Sequence, residues 1–277
     1  MTTTDAALPE TLKGKLKATW MAGNYDYFSR FMESSAVEFL ARLPVRAGDR
    51  LLDVACGSGQ LALLAARKGA KVTGVDIASN SIEAARGRAG ADGLDATFDE
   101  GDAEDLPYGD ESFDVVATIY GAMFAPRPDR VAHELVRVCR RGGTIGMANW
   151  TKEGFVGRML QTIGKFVSPP GMPSPLLWGD EATVRERFGS RVSELALRRV
   201  QYRFDYAFPP EGVVDFFRDN YGPANRAFAA LSRADQASLH EALVDLWRGA
   251  NESGASGRTV VNAEYLEVLA TRASERS

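Results

Sequence analysis

The sequence predicts an α/β fold, a parallel sheet wrapped by helices, and three observations carry that reading. Residues 51–60, LLDVACGSGQ, place an apolar pair, an acid and two glycines directly before a run of strong helix formers. From about residue 50 to 150, short strand-like and helix-like segments alternate, the pattern of repeated βαβ units. Residues 113–120, FDVVATIY, form a near-continuous apolar run, as expected for a strand covered on both faces.

The elements follow in order. Residues 10–43 carry helical periodicity. Residues 50–55 read as the first strand, with Leu51 and Leu52 buried, and 61–68 as the first helix, closed by Gly69. Residues 71–76 form a second strand. Ser79, or Asn80 beside it, can cap a helix running to about Ala89, because its side-chain oxygen can accept an orphan N–H. Residues 96–101 are a short third strand and 113–120 the fourth.

A helix is expected over 129–141, since Val131, Leu135 and Val138 fall on one face. Gly142 and Gly143 end it, and 144–150 is the fifth strand, closing on Trp150. Residues 168–175 are too proline-rich for a regular element. Residues 192–206 alternate in places and read as a strand. A helical stretch covers 210–250, with Leu239, Leu243 and Leu246 on one face; 251–257 is a polar turn and 259–269 a last strand.

At 277 residues the chain builds a full core, and its 45% hydrophobic and 25% charged content is ordinary for a globular protein. The formal charge of -4 disfavours a broad nucleic-acid footprint. Two cysteines, Cys56 and Cys139, suit a reducing compartment rather than a disulfide framework. The opening MTTTDAALPE lacks the features of a signal peptide, and no apolar stretch approaches the ~20 residues of a membrane span. A cytoplasmic location is expected.

The glycine loop carries the chemistry. Gly57-Ser58-Gly59-Gln60-Leu61-Ala62 fits the dinucleotide pattern G-x-G-x-x-G/A, and Asp76 at the end of the second strand suits a ribose. Yet Asp53 stands four residues before Gly57, where a carboxylate would repel a pyrophosphate. Asp102, Glu104 and Asp105 add further acids after the third strand. A ligand bearing an amino group and a sulfonium is attracted instead, and S-adenosylmethionine (SAM) has both. One of these acids can accept from an adenine amino group.

LLDVACGSG, then VTGVDIASNSIEAAR, GDAEDLPYGDESFDVV and HELVRVCRRGG, together resemble the class I SAM-dependent methyltransferase family over roughly residues 46–150. They are most similar to the branch of the ubiquinone and menaquinone biosynthesis methyltransferases. One departure is Ala55, where the family usually has its first loop glycine. The resemblance implies a Rossmann-like, seven-stranded, mostly parallel sheet with an antiparallel last strand, for which 259–269 is the candidate.

It also implies the site. Asp53, Gly57 and Gly59 would line the methionine end, with Ala55 and Cys56 counted as cofactor-binding positions of the same loop. Asp76 would accept both ribose hydroxyls, Ile77 would lie against the adenine, and Asp102 with Ala103 would read the adenine edge. Tyr120 would sit near the sulfonium, where the acceptor enters. Trp20, Asn24 and Tyr25 resemble the lid helix of such enzymes, and Tyr25 is counted as a cofactor contact; packing on the sheet is the other reading of this segment. The implied organisation is a helical lid (1–45), the SAM-binding core (46–150), a capping insertion (151–258) and the last strand with its tail (259–277), in one domain.

Other residues invite blander readings. His133 shares a polar helix face with Asp129, Arg137 and Arg140, and His240 lies beside Leu239 and Leu243, so neither is a candidate base. Cys56 has no evident activating partner, and the few histidines and cysteines are too scattered for a zinc site. Trp178, Tyr202, Tyr206, Phe216, Phe217 and Tyr221 suit either a roof over an apolar or aromatic acceptor or an ordinary core.

The expected activity is SAM-dependent methyl transfer to a small-molecule acceptor. Its rivals are a macromolecular acceptor (RNA or protein), an NAD-dependent oxidoreductase, and a SAM-binding regulator without turnover. The Asn-Pro-Pro-Tyr motif of base-methylating relatives is absent; Tyr120-Gly121-Ala122-Met123 stands there. The catalytic residue, acceptor atom and oligomeric state are left open.

Overall fold

The computed structural model describes residues 10–168 and 171–274. The opening nine residues read for a leader, Pro169 and Pro170 of the proline-rich stretch, and residues 275–277 of the expected tail lie outside them. Seven strands form one sheet: β1 (Arg50–Val54), β2 (Lys71–Asp76), β3 (Ala96–Glu100), β4 (Phe113–Ile119), β5 (Cys139–Trp150), β6 (Val192–Tyr206) and β7 (Thr259–Arg272). Their order is β3-β2-β1-β4-β5-β7-β6. β1 through β5 pair in parallel, and β7 runs antiparallel to both neighbours. Six strands therefore share one direction and the last in sequence opposes them.

The order reverses at β1, which lies between β2 and β4. The connections from β1 and β4 leave toward opposite sides there, so a crevice opens beyond the strand ends. Around the sheet stand α1 (Glu10–Trp20), α2 (Tyr25–Arg30), α3 (Glu33–Arg42), α4 (Gln60–Arg67), α5 (Ser79–Ala91) and α6 (Pro128–Val138). They are followed by α7 (Phe155–Gly164), α8 (Glu181–Phe188), α9 (Pro210–Asn220), α10 (Gly222–Ala229) and α11 (Arg233–Ala250). Among the described residues no helix is long and apolar enough to cross a membrane.

Three local expectations are corrected. The helix predicted over 129–141 stops at Val138, because Cys139 is already extended (φ -73°, ψ 133°). β5 begins there and bulges: Phe113 pairs with Cys139, but Val115 pairs with Thr144. Arg140 therefore leaves the polar face it was expected to share with His133, and its Nε donates to Asp114 at 2.6 Å.

The second correction concerns α5, whose N-cap is Ala78 rather than Ser79 or Asn80. The Asp76 carboxylate takes the Ala78 N–H at 2.8 Å, and Asn80 Oδ1 takes the Ser81 N–H at 3.0 Å. Third, the long helical stretch after 210 is three helices. Tyr221 is extended (ψ 112°) with Pro223 behind it, and Ser232 starts α11 by accepting the Asp235 N–H at 3.2 Å. Two helices, α7 and α8, flank the proline-rich stretch; no element was expected there, although Phe155, Val156, Met159 and Ile163 fall at helical spacing and are buried.

The six aromatics placed between roof and core are core. All six are buried, and Trp178 is 0% exposed. Trp247 of α11 completes the lattice, its ring centroid 4.3 Å from Phe155, 5.3 Å from Phe217 and 5.9 Å from Phe204. The late helices thus share one hydrophobic core with the sheet. Trp247→Ala is expected to lower the unfolding free energy by about 3–5 kcal/mol in a single transition. Urea melts followed by fluorescence and circular dichroism check this; a separate early transition of the late helices would contradict a shared core.

Candidate functional site

The crevice is built from chain ends that turn sharply. Ala55, just after β1, and Tyr120, just after β4, both have positive φ, 55° and 56°. Side-chain-bearing residues pay of order 1–3 kcal/mol for such conformations, which cluster at functional sites. Ala55 thus keeps the left-handed turn that a glycine would adopt more freely. Gly57 turns the same way (φ 54°), and a Cβ on it would stand 2.9 Å from Tyr25 Cε1. Only a bare backbone lets α2 approach the loop this closely.

Two adjoining cavities result. The larger, about 790 Å³ including its open mouth, is lined by Asp76 and Ile77 after β2, Asp102 and Ala103 after β3, and Lys13, Leu16 and Trp20 of α1. Phe124 and Ala125 form the wall beyond β4. The smaller, about 430 Å³, lies between Asp53, Cys56 and Gln60 on one side and, on the other, Ser29 of α2, Met32 at the cap of α3 and Ala36 of α3. Tyr25, Ala55, Gly57 and Tyr120 line both.

Eleven positions were expected to bind cofactor, and ten line these cavities: Asp53, Ala55, Cys56, Gly57, Asp76, Ile77, Asp102, Ala103, Tyr120 and Tyr25. Gly59 lines neither. It is the N-cap of α4, and its missing side chain would meet Leu63, Phe98 and Ala85 in the core. Of the other lid candidates, Trp20 lines the larger cavity, while Asn24 caps α2 by accepting the Tyr27 N–H at 3.1 Å.

The carboxylates differ in their surroundings. Asp53 Oδ2 accepts the Ala62 N–H at 3.1 Å, which ties β1 to the first turn of α4. Burial pushes its pKa up to about 8, opposed by that hydrogen bond and aided by nearby Asp76. Asp76 accepts from the backbone of Gly57 (2.9 Å) and Ala78 (2.8 Å), and burial raises its pKa too. Asp102 accepts the Glu104 N–H at 2.9 Å and receives Lys13. Glu104 is fully buried and holds Arg127, whose N and Nε donate at 2.5 and 2.8 Å. Asp105 is exposed.

Tyr120 does not reach into solvent. Its ring stacks on Trp150 with centroids 3.9 Å apart, and its hydroxyl lies 2.7 Å from Ser35 Oγ. Burial lifts its pKa, as it does for Cys56, so neither is an anion at neutral pH. His133 and His240 line neither cavity; His240 Nε2 sits 3.2 Å from Asp215.

Sequence reading passed over Ser29, Gln60 and Lys13. Gln60 Nε2 donates to Ser58 Oγ at 2.9 Å and to Ser29 Oγ, so an amide–hydroxyl cluster fastens α2 to the loop. Gln60 follows Gly59 directly, and that adjacency was an available signal. Lys13 lies 89 residues from Asp102, and nothing in the sequence links them.

The raised pKa of Asp53 has a consequence for stability. The unfolded carboxyl releases its proton near pH 4, whereas the folded one keeps it to about pH 8. Between those values the folded state binds the extra proton, so this group makes stability fall as pH rises, by at most about 1.4 kcal/mol per unit. Asp53→Asn has no proton to lose. Its stability relative to wild type is expected to climb from pH 5 to pH 8 in paired denaturant titrations. Parallel pH profiles would contradict a protonated Asp53.

A methyltransferase domain model matches residues 52–147, from β1 to β5. The Mycobacterium tuberculosis protein Rv1405c is 39% identical over 252 residues, covering 88% of this chain and 90% of that protein. The 27-O-demethylrifamycin SV methyltransferase of Amycolatopsis mediterranei is 36% identical over 135 residues, 46% of this chain and 50% of that one. Among solved structures, the YcgJ protein of Bacillus subtilis aligns with a TM-score of 0.60 at 16% identity, covering 87% of this chain and 99% of that one. These similarities do not single out the ubiquinone and menaquinone branch. The chain belongs to the class I SAM-dependent methyltransferases, enzymes that take their methyl group from S-adenosylmethionine.

Proposed function

We propose that the protein methylates a small molecule, binding SAM across the two cavities with its methionine end toward Asp53 and its adenosine toward Asp76 and Asp102. The observation that carries this reading is the pair of carboxylates, buried Asp53 and half-buried Asp76, whose hydrogen-bond donors are backbone N–H groups. Their charged forms are disfavoured by burial, and an incoming amino group and sulfonium would favour them again. That is the test of fit for SAM, and a pyrophosphate fails it.

In this reading Gly57, with Ala55 and Cys56, cradles the methionine end, and Tyr25 closes over it. Each oxygen of Asp76 keeps a lone pair for a ribose hydroxyl beyond its backbone donor. Ile77 and Ala103 sandwich the adenine, whose amino group Asp102 accepts. SAM supplies a methyl group on a sulfonium, which is already a good leaving group. The chain's task is then to orient the acceptor in line and exclude water, and no histidine lines either cavity to serve as base.

The acceptor side is apolar: Leu16, Trp20, Phe124 and Ala125 wall the larger cavity. This suits an apolar or aromatic small molecule. The name of one relative, 27-O-demethylrifamycin SV methyltransferase, likewise gives it a small-molecule acceptor. The arginines of 185–203 form no single basic patch. Arg187 is buried over Trp178, Arg198 pairs with Glu267, and Arg199 with Glu264. That dispersal speaks against a nucleic-acid acceptor.

Titration calorimetry tests the cofactor assignment. Wild type is expected to bind SAM and S-adenosylhomocysteine saturably, and Asp76→Ala to bind them about 10–100-fold more weakly, as for lost hydrogen bonds to a charged group. Binding of NADH alone would overturn it. Incubation with isotopically methyl-labelled SAM then separates acceptors: label in a small-molecule fraction is expected, and label only in RNA or protein would refute a small-molecule acceptor.

A further inference from the structure

Helix α1 is held at its two ends by different forces. Its C-terminal end is wedged: Thr19 O packs directly on Gly222, Arg226 Nη2 donates to Ala18 O at 3.1 Å, and Asn80 Nδ2 donates to Met21 O at 3.3 Å. There Trp20 also packs edge-on against Phe124, with ring centroids 5.0 Å apart. Toward the N-terminal end the hold is ionic. The Lys13 ammonium donates to Asp102 Oδ2 and lies 3.2 Å from Glu104 Oε2, and Lys17 pairs with Glu100. None of residues 12–20 is buried, so among these described residues no apolar side chain is sunk into the core at this end. Between the two holds, Leu16 and Trp20 line the larger cavity.

We propose that Lys13, with Lys17 as a weaker second, is an ionic latch that holds α1 along the mouth of the cleft and sets the rate of cofactor exchange. The proposal rests on the cleft being the SAM site. The two lysines are unequal for a physical reason. Lys13 faces two carboxylates, one of them the fully buried Glu104, which the Arg127 backbone and guanidinium hold in place. The Lys17–Glu100 pair is far wetter, with Glu100 about half exposed, and pairs of that kind contribute little.

The latch also shares a carboxylate with the ligand. Asp102 accepts the Glu104 N–H with Oδ1 and Lys13 with Oδ2, so an adenine amino group taken by the same carboxylate competes with Lys13 for it. A cofactor arriving there weakens the Lys13–Asp102 half and leaves Lys13 its Glu104 half, so α1 can stay shut over a loaded cleft. Entry and exit each require the whole contact to open. Lys13 is therefore a positioning residue for the lid rather than a catalytic one.

Trp20 reports the motion, since Trp150, Trp178 and Trp247 are buried. In the full chain, Lys13→Met is expected to raise acrylamide quenching of the ligand-free protein. Stopped-flow fluorescence should show it releasing S-adenosylhomocysteine about tenfold faster, the loss of one charge-assisted contact. Lys17→Met should change release less than about threefold. Lys13→Arg, which keeps the charge, should restore the wild-type rate, and this separates the latch from a folding defect. Raising salt to about 0.5 M should speed release from wild type but not from Lys13→Met. Release and quenching unchanged in Lys13→Met would overturn the latch. If S-adenosylhomocysteine binds no variant and not wild type, the cofactor assignment fails instead, while the quenching difference still reads whether Lys13 holds α1.

Discussion

Asp53 and Asp76 stand at the ends of adjacent parallel strands, the first buried and the second half-buried at the cleft, both donated to by backbone N–H groups. Much of the surrounding structure hangs on these contacts. Asp53 reaches the third residue of α4 and fixes the angle at which that helix leaves the glycine loop. Asp76 holds the loop through Gly57 with one oxygen and starts α5 through Ala78 with the other. The same two groups are poorly solvated as anions, and Asp76 adds to the cost of charging Asp53. A cationic ligand arriving beside them favours their charged forms, which suits a SAM site.

The sheet makes this placement possible. Because strand order reverses at β1, the loops after β1 and β4 diverge and leave a crevice that no helix fills. Ala55 and Tyr120 turn at its two sides in the same left-handed conformation. Tyr120 is then pinned by Trp150 and Ser35, so this wall of the cleft is rigid. The opposite wall, α1, is held by surface contacts and ion pairs. One side of the cleft is thus part of the core and the other is attached to it, a division of rigidity suited to a site that must admit ligands and then exclude water.

The region after β5 serves the core more than the cleft. Its aromatic side chains interlock around Phe204, Tyr206 and Trp247, and the aromatic side chains of α2 reach into the same lattice, Phe28 stacking on Tyr221 at 5.0 Å. That lattice supports α2 from behind and so holds Tyr25 against Gly57 from the far side. The apolar lining of the larger cavity is left to a few residues of α1 and the turn after β4.

The sequence by itself determined the α/β core and most of the residues that line the cleft. Its strand–loop–helix periods are local, and Asp53, Gly57, Asp76 and Asp102 each sit at a strand end where parallel pairing must bring them together. Strand bounds followed to within a residue or two for β1 to β4, and β6 matched throughout. What needed tertiary structure was whatever depended on distant partners. Cys139 could begin a strand only because Phe113 was there to pair with it, so helical periodicity misplaced the end of α6. The late aromatics had no preferred role until packing buried them against β6. Lys13 met its carboxylates across 89 residues of chain, and Gly59 turned out to face the core because α4 and β3 close over it. Local pattern specifies which element forms; long-range packing decides which of its faces meets water, core or ligand.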